Sequence, residues 1–121
     1  MKLRMPQEIE VWYLLPAIRR EFAREMSKRG VKQREISRIL GITEAAVSQY
    51  INYKRASGIR FSKDISREIK ASVDRLEKNS DNVIEEMQRI CRLCKDDKTL
   101  CRIHKKHGKI PSKCDVCFSG R

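Results

Sequence analysis

The sequence predicts an all-α chain in three parts, and three observations carry that expectation. Apolar residues return every three or four positions in several separate stretches, Ser, Thr and Gly stand where those stretches begin and end, and no stretch alternates convincingly in the β manner. The parts are a helical domain over residues 1–58, a helical linker or dimerisation segment over 59–90, and a small cysteine-rich tail over 91–121. A chain of 121 residues buries one modest core, so compact units this small would need a metal or a partner subunit to stand alone.

The elements follow in chain order. Glu8 to Tyr13 reads as a short lead-in, extended or helical, and Pro16 suits the first turn of a helix running to about Lys28. Within it Ile18, Phe22 and Met26 form an inward stripe broadened by Leu15 and Ala23, while Arg19, Arg20, Arg24 and Glu25 lie largely off it. Gly30 is a good terminator. Lys32 to Leu40 predicts a second helix with Ile36, Ile39 and Leu40 inward, broken by Gly41, and Thr43 caps a third that continues to about Tyr53. Ser57 and Gly58 mark a loop. From Ser62 a fourth helix carries Ile65, Ile69, Val73 and Leu76, and after Asn79 and Ser80 a fifth carries Val83, Ile84, Met87 and Ile90 into Cys91. The stripe on the fourth helix suits a dimer interface, or packing against the fifth helix of the same chain. The remainder is too short and polar to fold on apolar burial alone.

The run from Gln33 to Asn52 has the spacing that two crossing helices demand. Ile36 and Leu40 pack from the first helix, Ile42 seals the bend, and Val47 with Tyr50 or Ile51 packs from the second, which puts the small Ser37 at the closest approach. This is the pattern of a helix-turn-helix over residues 32–54. Its outward side is then Thr43, Glu44, Ala45, Ser48, Gln49 and Asn52, short and polar enough to enter a major groove of double-stranded DNA. Gln49 can pair with an adenine edge, Glu44 can accept from a cytosine amine, and the Ala45 methyl can meet that of thymine. Gln33, Ser48, Lys54, Arg55 and Arg60 are placed to touch the phosphate backbone.

Thr43-Glu-Ala-Ala-Val-Ser-Gln-Tyr-Ile51 resembles the recognition helix of the lambda-repressor-like (XRE-type) regulators. Tyr13-Leu-Leu-Pro-Ala-Ile-Arg19, followed later by paired cysteines, is similar to a group of small archaeal predicted transcription regulators. The resemblance covers most of the chain, firmly over 13–55 and more loosely over the cysteine tail. It implies a dimeric repressor or activator on a roughly palindromic operator. Ser37 departs from the broad class, whose members commonly carry alanine there; its hydroxyl is expected to bond back to its own helix.

Charge agrees with a polyanionic partner: 28 Lys and Arg against 16 Asp and Glu give +12, spread along the whole length. No stretch approaches the ~18 apolar residues of a membrane span, and no secretory signal pattern opens the chain, so the expected compartment is the cytoplasm. In that reducing setting the five cysteines, Cys91, Cys94, Cys101, Cys114 and Cys117, read as metal ligands. The pairs Cys91-x2-Cys94 and Cys114-x2-Cys117 have the spacing of a tetrahedral zinc site, with an iron–sulfur cluster as the alternative and Cys101 as a surplus soft ligand. As unbound buried hydrophobes the cysteines have no evident core to enter. His104 and His107 are borderline ligands in a basic strip. The other function classes are a helical adaptor with a zinc-knuckle tail binding RNA or protein, and an enzyme. The tail has only Phe118 for stacking bases, and no phosphate-binding glycine loop, nucleophile motif, acid/base constellation or small-molecule substrate site is evident.

Overall fold

Residues 4–52 and 58–107 are described by the computed structural model, and all regular structure among them is helical. The first helix, α1 (Pro6–Ile9), starts from an extended Met5 whose backbone N–H donates to Glu8 Oε1 at 2.8 Å. It runs without a break through a π-helical stretch, Glu10–Leu14, into α2 (Leu15–Lys28). Pro16 is therefore inside a continuous helical run and not at its start. Proline has no N–H to give the carbonyl of Trp12, and its ring crowds that carbonyl. The widened turn relieves both: the N–H of Leu15 reaches back five residues, to the carbonyl of Glu10. One extra residue in the turn also sets the buried stripe, which steps by five from Ile9 to Leu14 and then by fours through Ile18, Phe22 and Met26.

Helix α2 lies at the centre, against α3 (Gln33–Leu40), α4 (Glu44–Ile51) and α5 (Lys63–Lys78). It ends at Arg29 and a left-handed Gly30 (φ +88°). The Arg29 guanidinium bonds Glu25 on its own helix at 2.9 Å and Asp74 on α5 at 2.5 Å, and these carboxylates raise its pKa further above the usual arginine range.

Ser62 caps α5 by accepting the N–H of Ile65 at 3.2 Å. The stripe Ile65, Ile69, Val73 and Leu76 is buried inside the chain, so of its two expected uses it serves the internal one. A single 3-10 turn, Ser80–Asn82, leads into α6 (Val83–Asp96), which packs on α5. Ile84, expected inward, is 75% exposed: in the first turn of α6 it is Val83 that packs against the core, ahead of Met87 and Ile90. Between α5 and α6 lies a buried polar seam. Glu86 accepts from the Ser72 hydroxyl at 2.7 Å and from Arg75 at 2.8 and 2.9 Å, and Arg89 donates to Ser72 Oγ at 2.6 Å. The Arg75 guanidinium, helped by Ser72, holds the Glu86 carboxyl at about 2 despite its burial.

The expected boundary between Ile90 and Cys91 falls within α6, whose stripe continues through Cys91 and Cys94. The chain then turns through Asp97 and a left-handed Lys98 (φ +67°) into α7 (Thr99–His107), which adds Leu100 and Ile103 to the core. The remainder, expected to be too polar to fold on apolar burial alone, thus adds apolar residues to the shared core as far as Ile103. Lys and Arg hide a helical stripe of only a few apolar residues. Buried residues from Ile9 to Ile103 form a single cluster, shared by all three stretches distinguished in the sequence. His104 Nε2 lies 2.5 Å from the carbonyl oxygen of Arg4, joining α7 to the start of the chain.

Candidate nucleic-acid interface

Two eight-residue helices, α3 and α4, are joined by a three-residue bend at 41–43. Gly41 makes the bend possible, since φ +67° is a conformation that costs any residue with a Cβ. Ser37 then locks it. The Ser37 carbonyl accepts the N–H of Ile42 at 3.2 Å, and its hydroxyl, expected to bond back within its own helix, instead reaches across the bend to the Ile42 carbonyl at 2.5 Å. Thr43 caps α4, its Oγ1 accepting the N–H of Ala46 at 3.0 Å.

Ile36 and Leu40 on α3 face Ala46, Val47 and Tyr50 on α4, all of them buried, with Ile42 and Ile51 partly so. That packing leaves Thr43, Glu44, Ala45, Gln49 and Asn52 exposed on one side of α4, joined by a half-buried Ser48. The Asn52 amide donates to Ser48 Oγ at 3.4 Å, which steadies the last turn. Gln33 is exposed at the N-terminus of α3. Lys54 and Arg55 lie outside the described residues. Arg60 is exposed, and its neighbour Ile59 is tied to α2 by the Arg20 guanidinium, which donates to the Ile59 carbonyl at 2.7 Å.

Three further cations stand on or beside α3. Lys32 and Arg34, at the start of α3, and Arg38, one turn on, are all exposed. Arg38 is paired with Glu35, whose carboxyl it lowers below its usual range. The signal was available: Arg34 and Arg38 are four residues apart on the side of α3 away from Ile36 and Leu40.

Cys91 and Cys94 lie three residues apart on α6, one turn of the same helix face, and both are sealed in the core. Burial pushes the Cys91 thiol up to about 11 and the Cys94 thiol up to about 12. So two of the five cysteines do enter a core, contrary to expectation, because α6 carries them inward at the spacing of Met87 and Ile90. Cys101, on α7, is half-buried. Cys114 and Cys117 fall outside the described residues. His104 is buried against the Arg4 carbonyl, and His107 stacks on Tyr13, so the basic strip expected around them is in fact one face of α7. Among the described residues no three His, Cys, Asp or Glu side chains converge as a metal group, and no helix is long and apolar enough to cross a membrane. No family model, curated protein or solved structure matches the chain.

Proposed function

We propose that this chain is a sequence-specific DNA-binding regulator of transcription, acting in the cytoplasm, in which α3 and α4 form a helix-turn-helix and α4 reads the duplex. One observation carries the reading: packing through Ala46, Val47 and Tyr50 turns Glu44, Ala45 and Gln49 to solvent on one side of a short helix. With its side chains an α-helix is ~10–12 Å across, which a major groove ~12 Å wide admits. Gln49 reads an adenine edge, Glu44 a cytosine amine, and Ala45 a thymine methyl. Gln33, Lys32, Arg34 and Arg60, with Lys54 and Arg55, supply contacts to the phosphates.

Selection from a pool of random duplexes at low salt tests this. The expected result is an enriched motif that binds Gln49→Ala at least about tenfold more weakly, the worth of one bidentate base contact. Failure of every duplex to bind at low salt, or binding without sequence preference in both proteins, would sink the proposal.

The regulator works as a homodimer on paired half-sites. Because the α5 stripe is consumed internally, the two-fold contact is made elsewhere on the surface. The cysteines hold a metal, zinc before an iron–sulfur cluster, through Cys91, Cys94, Cys114 and Cys117, with Cys101 as a further thiolate. Support for it is the spacing of the two pairs. A bound cation would supply the positive charge that the buried Cys91 and Cys94 thiols lack, and its entry would release their protons. Metal analysis and a visible spectrum of protein prepared without oxygen test this: a metal-free, colourless protein would refute it.

A further inference from the structure

A cleft of about 700 Å³ opens where the π-helical stretch, the last turn of α4, residues 58–60 and α7 meet. Its volume is that of a small-molecule site. Trp12 and Tyr13 give the wall aromatic faces, Arg60, Arg102 and Lys106 give it positive charge, and among the described residues that line it there is no carboxylate.

These groups are arranged and not merely near one another. The Tyr13 ring stacks on His107, centroids 4.0 Å apart and planes within 10°, a two-ring stack whose outer face alone can serve as a platform. The widened turn before Pro16 carries Trp12 and Tyr13, and Trp12 is 50% exposed with the Arg4 guanidinium over one face of its ring, 5.0 Å from the centroid, which leaves the other face for a base. The Arg102 guanidinium is held by the Thr99 hydroxyl at 3.0 Å, while Arg60 and Lys106 are exposed. Three cations converging on a concave surface repel one another, and an anion relieves that repulsion. Flat rings beside them suit a ligand whose anionic group is joined to a planar one.

We propose that this cleft binds a nucleotide, its base against Trp12 and the Tyr13–His107 platform and its phosphates on Arg60, Arg102 and Lys106. Tyr50 lines the same cleft, so an occupant touches the last turn of α4. The site thus borders the helix whose exposed side is assigned to DNA. It is measured without DNA, so its failure and that of the regulator reading are separable.

Trp12 is the sole tryptophan of the chain, so its fluorescence, excited at the red edge of its absorption, reports on this cleft alone. The full chain is titrated with ATP, AMP, inorganic phosphate and a short duplex. ATP is expected to give a saturable change, at least about tenfold tighter than phosphate. R60A/K106A weakens ATP by at least about tenfold with an unchanged melting temperature, and the charge-keeping R60K/K106R restores it. No saturable change with ATP or AMP, equal affinity for phosphate, or equal affinity of R60A/K106A would overturn the proposal. So would a response to the duplex alone, which would give these cations to the DNA backbone.

Discussion

Ser37 and Ile42 clasp each other across the bend between α3 and α4, the main chain of one bonding the main chain of the other while the Ser37 hydroxyl donates to the same residue's carbonyl at 2.5 Å. The bend is thus held by a side chain from the helix before it and by the conformation of Gly41.

Ser37→Ala is expected to lower stability by about 1 kcal/mol, the worth of one intramolecular hydrogen bond, and to leave duplex affinity intact. Gly41→Ala is expected to cost about 1–2 kcal/mol, because its φ of +67° must then be held by a residue with a Cβ. Urea unfolding followed by circular dichroism checks both. An unchanged midpoint for Gly41→Ala would mean that the bend is not left-handed.

Lys32→Ala and Arg34→Ala should each weaken binding to all duplexes alike and flatten the dependence of log affinity on log salt by about 1. Gln49→Ala should change preference between sequences and leave that slope alone. Fluorescence anisotropy over a salt series separates the two behaviours. Reversal of the pattern would assign the reading role to α3.

Glu86 makes stability depend on acidity. Its carboxyl is held at about 2, chiefly by Arg75, below the ordinary glutamate value of 4.5, so its contribution is complete above the unfolded value and is lost as pH falls from there towards about 2. A shift of that size corresponds to at most about 3 kcal/mol, and the half-exposed Arg75 screens part of it. Glu86→Gln should therefore be less stable than the parent at pH 7 and lose less on acidification to pH 3. Parallel loss in both proteins would show that the seam between α5 and α6 is not the acid-sensitive element.

Ile69→Ala should cost about 2–5 kcal/mol and leave the sedimentation coefficient unchanged, since Ile69 is buried within its own chain. A dissociating oligomer would place the stripe of α5 between subunits instead.

In protein stripped of metal by a chelator, alkylation mapped by mass spectrometry should label Cys101 well before Cys91 and Cys94, whose thiols are sealed and whose reactive thiolates are then scarce near neutral pH. Denaturant should abolish the difference. Equal labelling of the three in the folded protein would contradict the packing of α6.

The stripes of α2 and α5 and the bend at Gly41 were legible because large aliphatic residues repeat at one period and a cap or a glycine closes each run. The start of the first helix was not. Ile9 and Leu14 belong to the stripe of Ile18 and Phe22, but the extra residue of the π turn shifts them out of phase with a 3.6-residue period. Pro16 then looked like a beginning. α7 escaped for a different reason: Leu100, Ile103 and His104 are its inward positions among many basic ones, and the regular spacing of the cysteines invited a reading by ligand pattern in place of periodicity. The exposed face of α4 could be read in advance, since fixing Val47 and Tyr50 inward leaves Glu44, Ala45 and Gln49 nowhere else to go. Ile84 could not, because Val83 and Ile84 are equally apolar and only the arrival of the 3-10 turn chooses between them.

The meeting of His104 with the carbonyl of Arg4 has a consequence for synthesis. Contacts of that sequence separation are the last a growing polypeptide can make, and they slow folding. A nascent chain that has not yet released α7 lacks the helix against which α1 and the π-helical stretch pack, so its earliest segments wait on its latest.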